Sequence, residues 1–355
     1  MAQKKYDDLD VAYIIDPRFP GGTSSAVAAE LEVVSRVAHV RVFALDTAMF
    51  AERHVATQLK DALLRLGLPL NWDMKEVAAD VVIFHNPSCL KFQDDLPTRI
   101  IARHLIVVTH ENFLRPGGAL AFDVDKCLSQ IKRNALVLRR SLAPVSAYNR
   151  DTVEEWRRHS QAASGWCVLE NDWFNICSMR MAEPTVAPGN RRGRHSRPGH
   201  EKFPRREVLH LCFPPSAESN TILGADNLMR RDDLPAHWNL YRFGQIPVDH
   251  FFDQIDFFVY FTARTWRESF GRVIAEAIAA GKLVITDPQT AGPFGDGAIG
   301  ADPQDVDGII ATYMADPDRY RANVLSGQTT LSRFSEQAFQ KSFDSVVART
   351  SETTA

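Results

Sequence analysis

Val11-Ala-Tyr-Ile-Ile15, Val40-Arg-Val-Phe-Ala44, Val81-Val-Ile-Phe84 and Leu105-Ile-Val-Val108 are short apolar runs, rich in β-branched and aromatic residues and with little polar alternation. A strand that is apolar on both faces must be covered on both, which is the condition of a parallel sheet flanked by helices. Between the first two runs, Val27, Leu31 and Val34 fall at helical spacing within Ser24–Val37, and Thr23 or Ser24 is placed to cap that helix. Strand, turn, helix and strand within about 35 residues make a βαβ unit of right-handed crossover. Further strands are expected near Ala143–Val145 and Cys167–Leu169.

The rhythm breaks at Met181–Arg206. Pro184, Pro188, Gly189, Gly193, Pro198, Gly199 and Pro204 stand there among crowded arginines, the composition of a linker or irregular loop. It resumes with expected strands at Val208–Phe213, Leu240–Phe243, Phe257–Phe261 and Leu283–Thr286, and a helix over Phe270–Ala280 stopped by Gly281. The 355 residues therefore divide into an expected first domain over 1–178, a second over 179–335 and a tail over 336–355.

Bulk properties exclude several functions. A net charge of -3 and a pI near 6.4 oppose electrostatic binding of nucleic acid. The five cysteines, Cys89, Cys127, Cys167, Cys177 and Cys212, are odd in number and form no C-x-x-C pair, so reduced thiols in a cytoplasmic setting are expected rather than disulfides or a zinc site. Met1–Asp8 lacks the apolar stretch of a signal peptide, and no window approaches the roughly 18 apolar residues of a membrane span. Lys126–Arg140 reads as a basic helix with Leu128, Ile131, Ala135 and Leu138 near one face. That stripe either packs on the first sheet or rests on anionic lipid, as peripheral membrane contact.

Open parallel sheets bind ligands at the carboxyl ends of their strands. Pro17-Arg-Phe-Pro-Gly-Gly-Thr-Ser24 follows the first strand. Gly21 and Gly22 allow close backbone approach there, and the next helix offers unpaired amides suited to a diphosphate. In the second half, Glu268 stands at or just before a helix N-terminus. Glu276 is expected about two turns further in, near the same side. A carboxylate at Glu276, flanked by Ala275, Ala277, Ile278 and Ala280, needs solvent or a hydrogen-bonding partner such as a ribose diol. His110 ends a buried strand, and His85 ends another with a structural or site-lining role. Asp123-Val-Asp125 and Asp305-Val-Asp307 share the D-x-D form that binds metal elsewhere and read as structural.

The run Glu268-Ser-Phe-Gly-Arg-Val-Ile-Ala-Glu276-Ala-Ile-Ala-Ala-Gly281 resembles the Glu-x7-Glu signature of retaining glycosyltransferases of family 4, of GT-B fold. The Gly21-Gly22-Thr23-Ser24 loop, the strand-end His110 and Gly193-Arg194 followed by Lys202 are similar to that family's glycine loop, histidine and basic diphosphate clamp. The resemblance implies two Rossmann-like α/β/α domains facing across a cleft, the second mainly binding the nucleotide, with a final helix near Ser335–Val347 crossing back to the first. It implies that Glu268 and His110 contact the donor sugar and Glu276 the ribose, with Ser269, Phe270 and Gly271 on the nucleotide side. Arg194 and Lys202 would neutralise the diphosphate, while Gly21, Gly22 and Thr23 bind phosphate through their amides. Lys202 stands eight residues after Arg194, further than in the family's clamp, so Arg197 is placed to share that role.

The function so implied is transfer of a sugar with retention, as in polysaccharide biosynthesis. The donor would be a UDP- or GDP-sugar, and the acceptor a glycan, lipid-linked glycan or small molecule. Neither metal nor cofactor is expected. A nucleotide-sugar epimerase of the same fold and a non-catalytic nucleotide-sugar-binding subunit are the alternatives.

Overall fold

The structure is a computed structural model that describes residues 6, 8–230 and 233–352. The amino-terminal stretch read above lies largely outside them, as do the last residues of the expected tail. Two compact units divide the chain: Met1–Ile176 with Phe334–Ala355, and Cys177–Arg333.

The first unit is built on strands β1 (Asp10–Ile15), β2 (His39–Ala44), β3 (Leu70–Trp72), β4 (Glu76–His85), β5 (Arg99–Thr109), β6 (Ala135–Pro144) and β7 (Cys167–Val168). All pair in parallel, in the order β3-β2-β1-β4-β5-β6-β7, with Val11 level with both Val40 and Val81. The apolar runs are its central strands, covered on both faces, and Val11, Ile14, Val82, Phe84, Leu105 and Val107 are sealed from solvent. The closing helix, Glu336–Glu352, belongs to this unit. Phe339 and Phe343 meet Trp173 edge-on, and Glu336 pairs with Arg36 at 2.6 Å.

The second unit carries β8 (Arg191–His195), β9 (Ser219–Leu223), β10 (Asn239–Tyr241), β11 (Phe257–Tyr260), β12 (Leu283–Thr286) and β13 (Ala298–Gly300). They too are parallel, in the order β10-β9-β8-β11-β12-β13. In each unit the chain winds outward from its first strand and then restarts on that strand's other side. The strand order therefore reverses between β1 and β4 and between β8 and β11, where open α/β sheets hold ligands.

Four expectations need correction. The supposed linker contains β8, the central strand of the second sheet. Val208–Phe213 is not a strand but the helix Arg206–Cys212, with Leu209 and Cys212 turned inward. The basic stretch is a helix only over Val124–Arg133, where Leu128 and Ile131 are buried, and then becomes β6, whose Leu136 and Leu138 are exposed. No side chain caps the first helix, which spans Gly22–Val34. Its cap residue is Gly21 at φ 86°, and the Ser24 hydroxyl instead donates to the Phe19 carbonyl. In the D-x-D sequences, Asp123 accepts from the Lys126 amide, Asp125 from Trp156 and Ser160, and Asp307 pairs with Arg192.

Candidate active site

Charged and aromatic side chains meet at the edge where β8 and β11 end. After β8 the chain runs through Ser196–Gly199 into a single turn, His200–Lys202. After β11 a loop carries Trp266 and Glu268 to the helix Arg272–Ala279. Lys202 Nζ donates to both oxygens of Glu268, at 2.7 and 3.0 Å, and the ammonium lies 3.8 Å from the centre of the Trp266 ring. The Tyr260 hydroxyl donates to the same carboxylate. Both partners of the pair are mostly buried, with side chains 11% and 12% exposed. Burial pulls the Lys202 pKa down, and the Glu268 charge opposes that pull. Burial and Glu268 together push the Tyr260 pKa far up, so its hydroxyl remains a donor.

Arg194 lies beneath this pair rather than in it. Its guanidinium is wholly enclosed and donates to the Phe261 carbonyl at 2.9 Å and the Lys202 carbonyl at 2.5 Å. The rings of Phe203 and Tyr260 flank it, 4.2 and 5.0 Å from its centre. It ties the turn after β8 to the end of β11, a link repeated where the Ala263 amide donates to the Glu201 carbonyl at 3.1 Å. A side chain so enclosed has no surface to offer a diphosphate, which corrects the expected clamp. Lys202 keeps a side chain at this edge, and Arg197 is exposed, paired with Glu201 at 3.0 Å.

Glu268 and Glu276 do not share a helix face. Glu268 precedes the helix by four residues, and Glu276 stands just over one turn into it, half-buried. Its oxygens meet Arg272 Nε at 3.0 Å and His195 Nε2 at 3.4 Å. Burial raises the Glu276 pKa against the pull of Arg272. His195, at the end of β8, is packed edge-on by Phe251, Phe252 and Phe258, and burial beside Arg194 pushes its pKa down to about 3. It is therefore a neutral ring. Ser269 is partly exposed, whereas the Phe270 ring is buried against Phe294. Gly271 starts the helix at φ 91°, a left-handed conformation that favours glycine.

The first unit has its own strand-end cluster. Gly21, Gly22 and Thr23 open the helix after β1. Gly22 is exposed, with open space where a side chain would project. The first amides of a helix lack partners within it. The loop is held from below by Arg18, which makes two bonds to Asp16 and reaches Asp46 and the Thr47 carbonyl, all from a fully buried position. His110, just past β5, is partly exposed, and its Nε2 lies 2.9 Å from Nδ1 of His85 at the end of β4. Burial and the neighbouring His85 hold the His110 pKa well below the ordinary histidine value.

Tyr260, Trp266, His195 and Arg272 were not singled out from the sequence. Arg272 lay within the run that begins at Glu268, and Trp266 stands two residues before it. Tyr260 looked like one more aromatic strand residue, and His195 was hidden in the supposed linker. Among the described residues, no three His, Cys, Asp or Glu side chains converge as a metal site, and no helix is long and apolar enough to cross a membrane.

No family model matches the chain, and no curated protein matches it by sequence. Solved structures do. The Anabaena protein HepE, in complex with UDP and glucose, aligns over 96% of this chain and 100% of its own with a TM-score of 0.65 at 16% identity. An Escherichia coli trehalose-6-phosphate protein bound with UDP-2-fluoro glucose aligns over 95% and 98%, with a TM-score of 0.58 at 11% identity. An α-glucosyltransferase in complex with UDP aligns over 96% and 100%, with a TM-score of 0.53 at 10% identity. The fold is GT-B. At these identities the likeness is one of architecture: two Rossmann-like units joined in one order along nearly the whole chain.

Proposed function

We propose that the chain is a glycosyltransferase that takes a sugar from a nucleoside-diphosphate donor, bound at the carboxyl edge of the second unit. The observation that carries this reading is the buried Lys202–Glu268 pair beside Trp266, at the strand-order reversal of β8 and β11. A buried pair of charges costs solvation on both sides and is poorly explained by stability alone. A donor repays that cost. Its diphosphate takes the ammonium, and its sugar hydroxyls take the carboxylate.

Breaking a glycosyl–phosphate bond leaves negative charge on the diphosphate, and cationic donors fixed in a dry site stabilise that charge strongly. In this reading Lys202 carries it, Arg197 assists from the rim, and Arg194 sets the height of Lys202 through its carbonyl. Glu276, braced by Arg272 and His195, accepts from the ribose, while Ser269 and the backbone at Phe270 and Gly271 line the nucleotide's path. In the first unit Gly21, Gly22 and Thr23 offer amides to phosphate, and His110 meets carbohydrate. Retention of configuration, independence from metal and membership of family 4 belong to the same proposal. They are supported by the Glu268–Glu276 run. The UDP bound in the similar structures favours a uridine donor. A glycan, lipid-linked glycan or small molecule would be the acceptor, and the cytoplasm, with or without peripheral membrane contact, the setting.

The test is incubation with UDP-, GDP- and ADP-sugars, alone and with a panel of acceptors. Nucleotide release that depends on acceptor, with the product's anomeric proton showing the donor's configuration, is expected. Conversion of a donor without acceptor would point to an epimerase. No release with any pair would overturn the enzyme reading.

A further inference from the structure

A chain of three side chains runs through the interior of the first unit and ends at His110, and none of the roles above accounts for its inner two members. Glu30 lies on the buried face of the helix Gly22–Val34 with no exposed surface, and neither of its carboxylate oxygens has a hydrogen-bond partner. Nε2 of His85 is likewise without a hydrogen-bond partner and faces Glu30, 3.4 Å from Oε2. His85 is also buried, covered by the Tyr13 ring at 5.6 Å and 9° from parallel. Its other nitrogen, Nδ1, meets Nε2 of His110 at 2.9 Å, with the two rings 25° from parallel. A carboxylate enclosed in an apolar helix face is costly and is kept only where a partner uses it.

The proton at the Glu30 contact sets the direction of the whole chain. Where His85 Nε2 carries it, the Glu30 carboxylate is the acceptor. A neutral His85 then has a bare Nδ1, which accepts from His110 Nε2–H. A neutral His110 protonated on Nε2 has a bare Nδ1. We propose that Glu30 and His85 are positioning residues that lock His110 in its Nε2–H tautomer, so that Nδ1 accepts a hydrogen bond from a carbohydrate hydroxyl. The inference rests on the reading that His110 meets carbohydrate. Burial beside His85 supports it by keeping His110 uncharged. A proton added to His85 would reverse the chain, because His85 Nδ1–H would donate to His110 Nε2 and turn the free nitrogen of His110 into a donor.

Nitrogen NMR of the full-length protein, labelled in its histidine rings, reads the tautomers without any substrate. Wild-type protein should show His85 and His110 both protonated on Nε2. Glu30→Gln keeps an acceptor oxygen and should keep that pattern, whereas Glu30→Met, of the same shape without an acceptor, should lose it at both rings. A filler role would leave Met and Gln alike. His110 protonated on Nδ1 in the wild-type spectrum would overturn the proposal, even where a variant fails to fold. With a working donor and acceptor, Glu30→Met should lower kcat/KM about tenfold or more, the scale of one lost hydrogen bond, and Glu30→Gln much less. Locked tautomers in a protein that transfers no sugar would leave the relay standing and refute the assigned reaction instead. Locked tautomers with full transfer by Glu30→Met would refute the relay's role.

Discussion

Lys202, Arg194 and Glu276 hold three different positions around one edge, and their substitutions should separate. Lys202→Met removes the cation; turnover should fall about a hundredfold, and the second unit should also lose stability because the buried Glu268 carboxylate is left without its partner. Arg194→Met should act on stability first. It strips two buried carbonyls of a charged donor, so the second unit should lose about 3 kcal/mol in denaturant titration, with activity falling as Lys202 loosens. Glu276→Ala should weaken nucleotide binding by about 1.5–3 kcal/mol in calorimetry. Because burial raises the Glu276 pKa, the ionised form that accepts from ribose is gained only above the ordinary carboxyl range. Affinity should therefore rise with pH through mildly acidic values, and a flat profile would contradict the ribose assignment. At this scale strand ends and unusual neighbours, visible in one dimension, marked Glu268, Glu276 and His110, and Lys202 was marked by resemblance to a basic clamp alone. The sequence did not mark Tyr260, His195 or Glu30. Their importance lies in what they touch, and a histidine or glutamate carries no sign of its partner.

Strands of the first sheet were legible as elements because burial on both faces forces an unbroken apolar run. β8 was not, for a physical reason. Its residues are Arg-Arg-Gly-Arg-His, and its burial is bought with partners instead of apolar surface. Arg191 makes two bonds to the buried Asp256, Arg192 reaches the Cys212 carbonyl and Asp307, and Arg194 takes its two carbonyls. Gly193 is there for space: a β-carbon would stand 2.6 Å from Ile255 and 3.0 Å from Phe251. Gly193→Ala should therefore cost about 1–3 kcal/mol of stability by overpacking. Gly22→Ala meets nothing within 4 Å at a helix start and should leave stability unchanged within about 0.5 kcal/mol. A large loss of stability at Gly22, or none at Gly193, would show that the two glycines had been assigned the wrong reasons. The other misreadings share a cause. Leu209 and Cys212 fit either periodicity in so short a segment, and β6 begins with exposed leucines and arginines that mimic a basic helix.

As a whole, the chain places two sheets of one winding order in sequence, and both candidate clusters fall where that order reverses. Alternating strands and helices already implied parallel sheets, but the order of strands, and hence the meeting of Lys202 with Glu268, is a property of three dimensions. Each unit also buries a histidine as a neutral ring. His104 of the first unit, bonded to Ser141 and Thr350, has its pKa pushed to about 4 by burial, and His195 of the second to about 3. The unfolded chain takes up those protons from the ordinary value of 6.5 downward, so the unfolded state binds more protons and stability falls as pH drops. Both units should thus lose a few kcal/mol between pH 6.5 and about 4, and the His104→Asn and His195→Asn variants should flatten that loss. Equal acid sensitivity in the variants would place its origin elsewhere.

The account stands on the second unit's carboxyl edge gripping a diphosphate through Lys202, and calorimetric titration of wild type and Lys202→Met with UDP and with uridine addresses that grip alone. UDP should bind wild type and lose at least about tenfold in affinity with Lys202→Met, the scale of a charged hydrogen bond. Uridine, which has no diphosphate, should bind both weakly and alike. UDP bound with equal affinity by the two proteins would contradict the account.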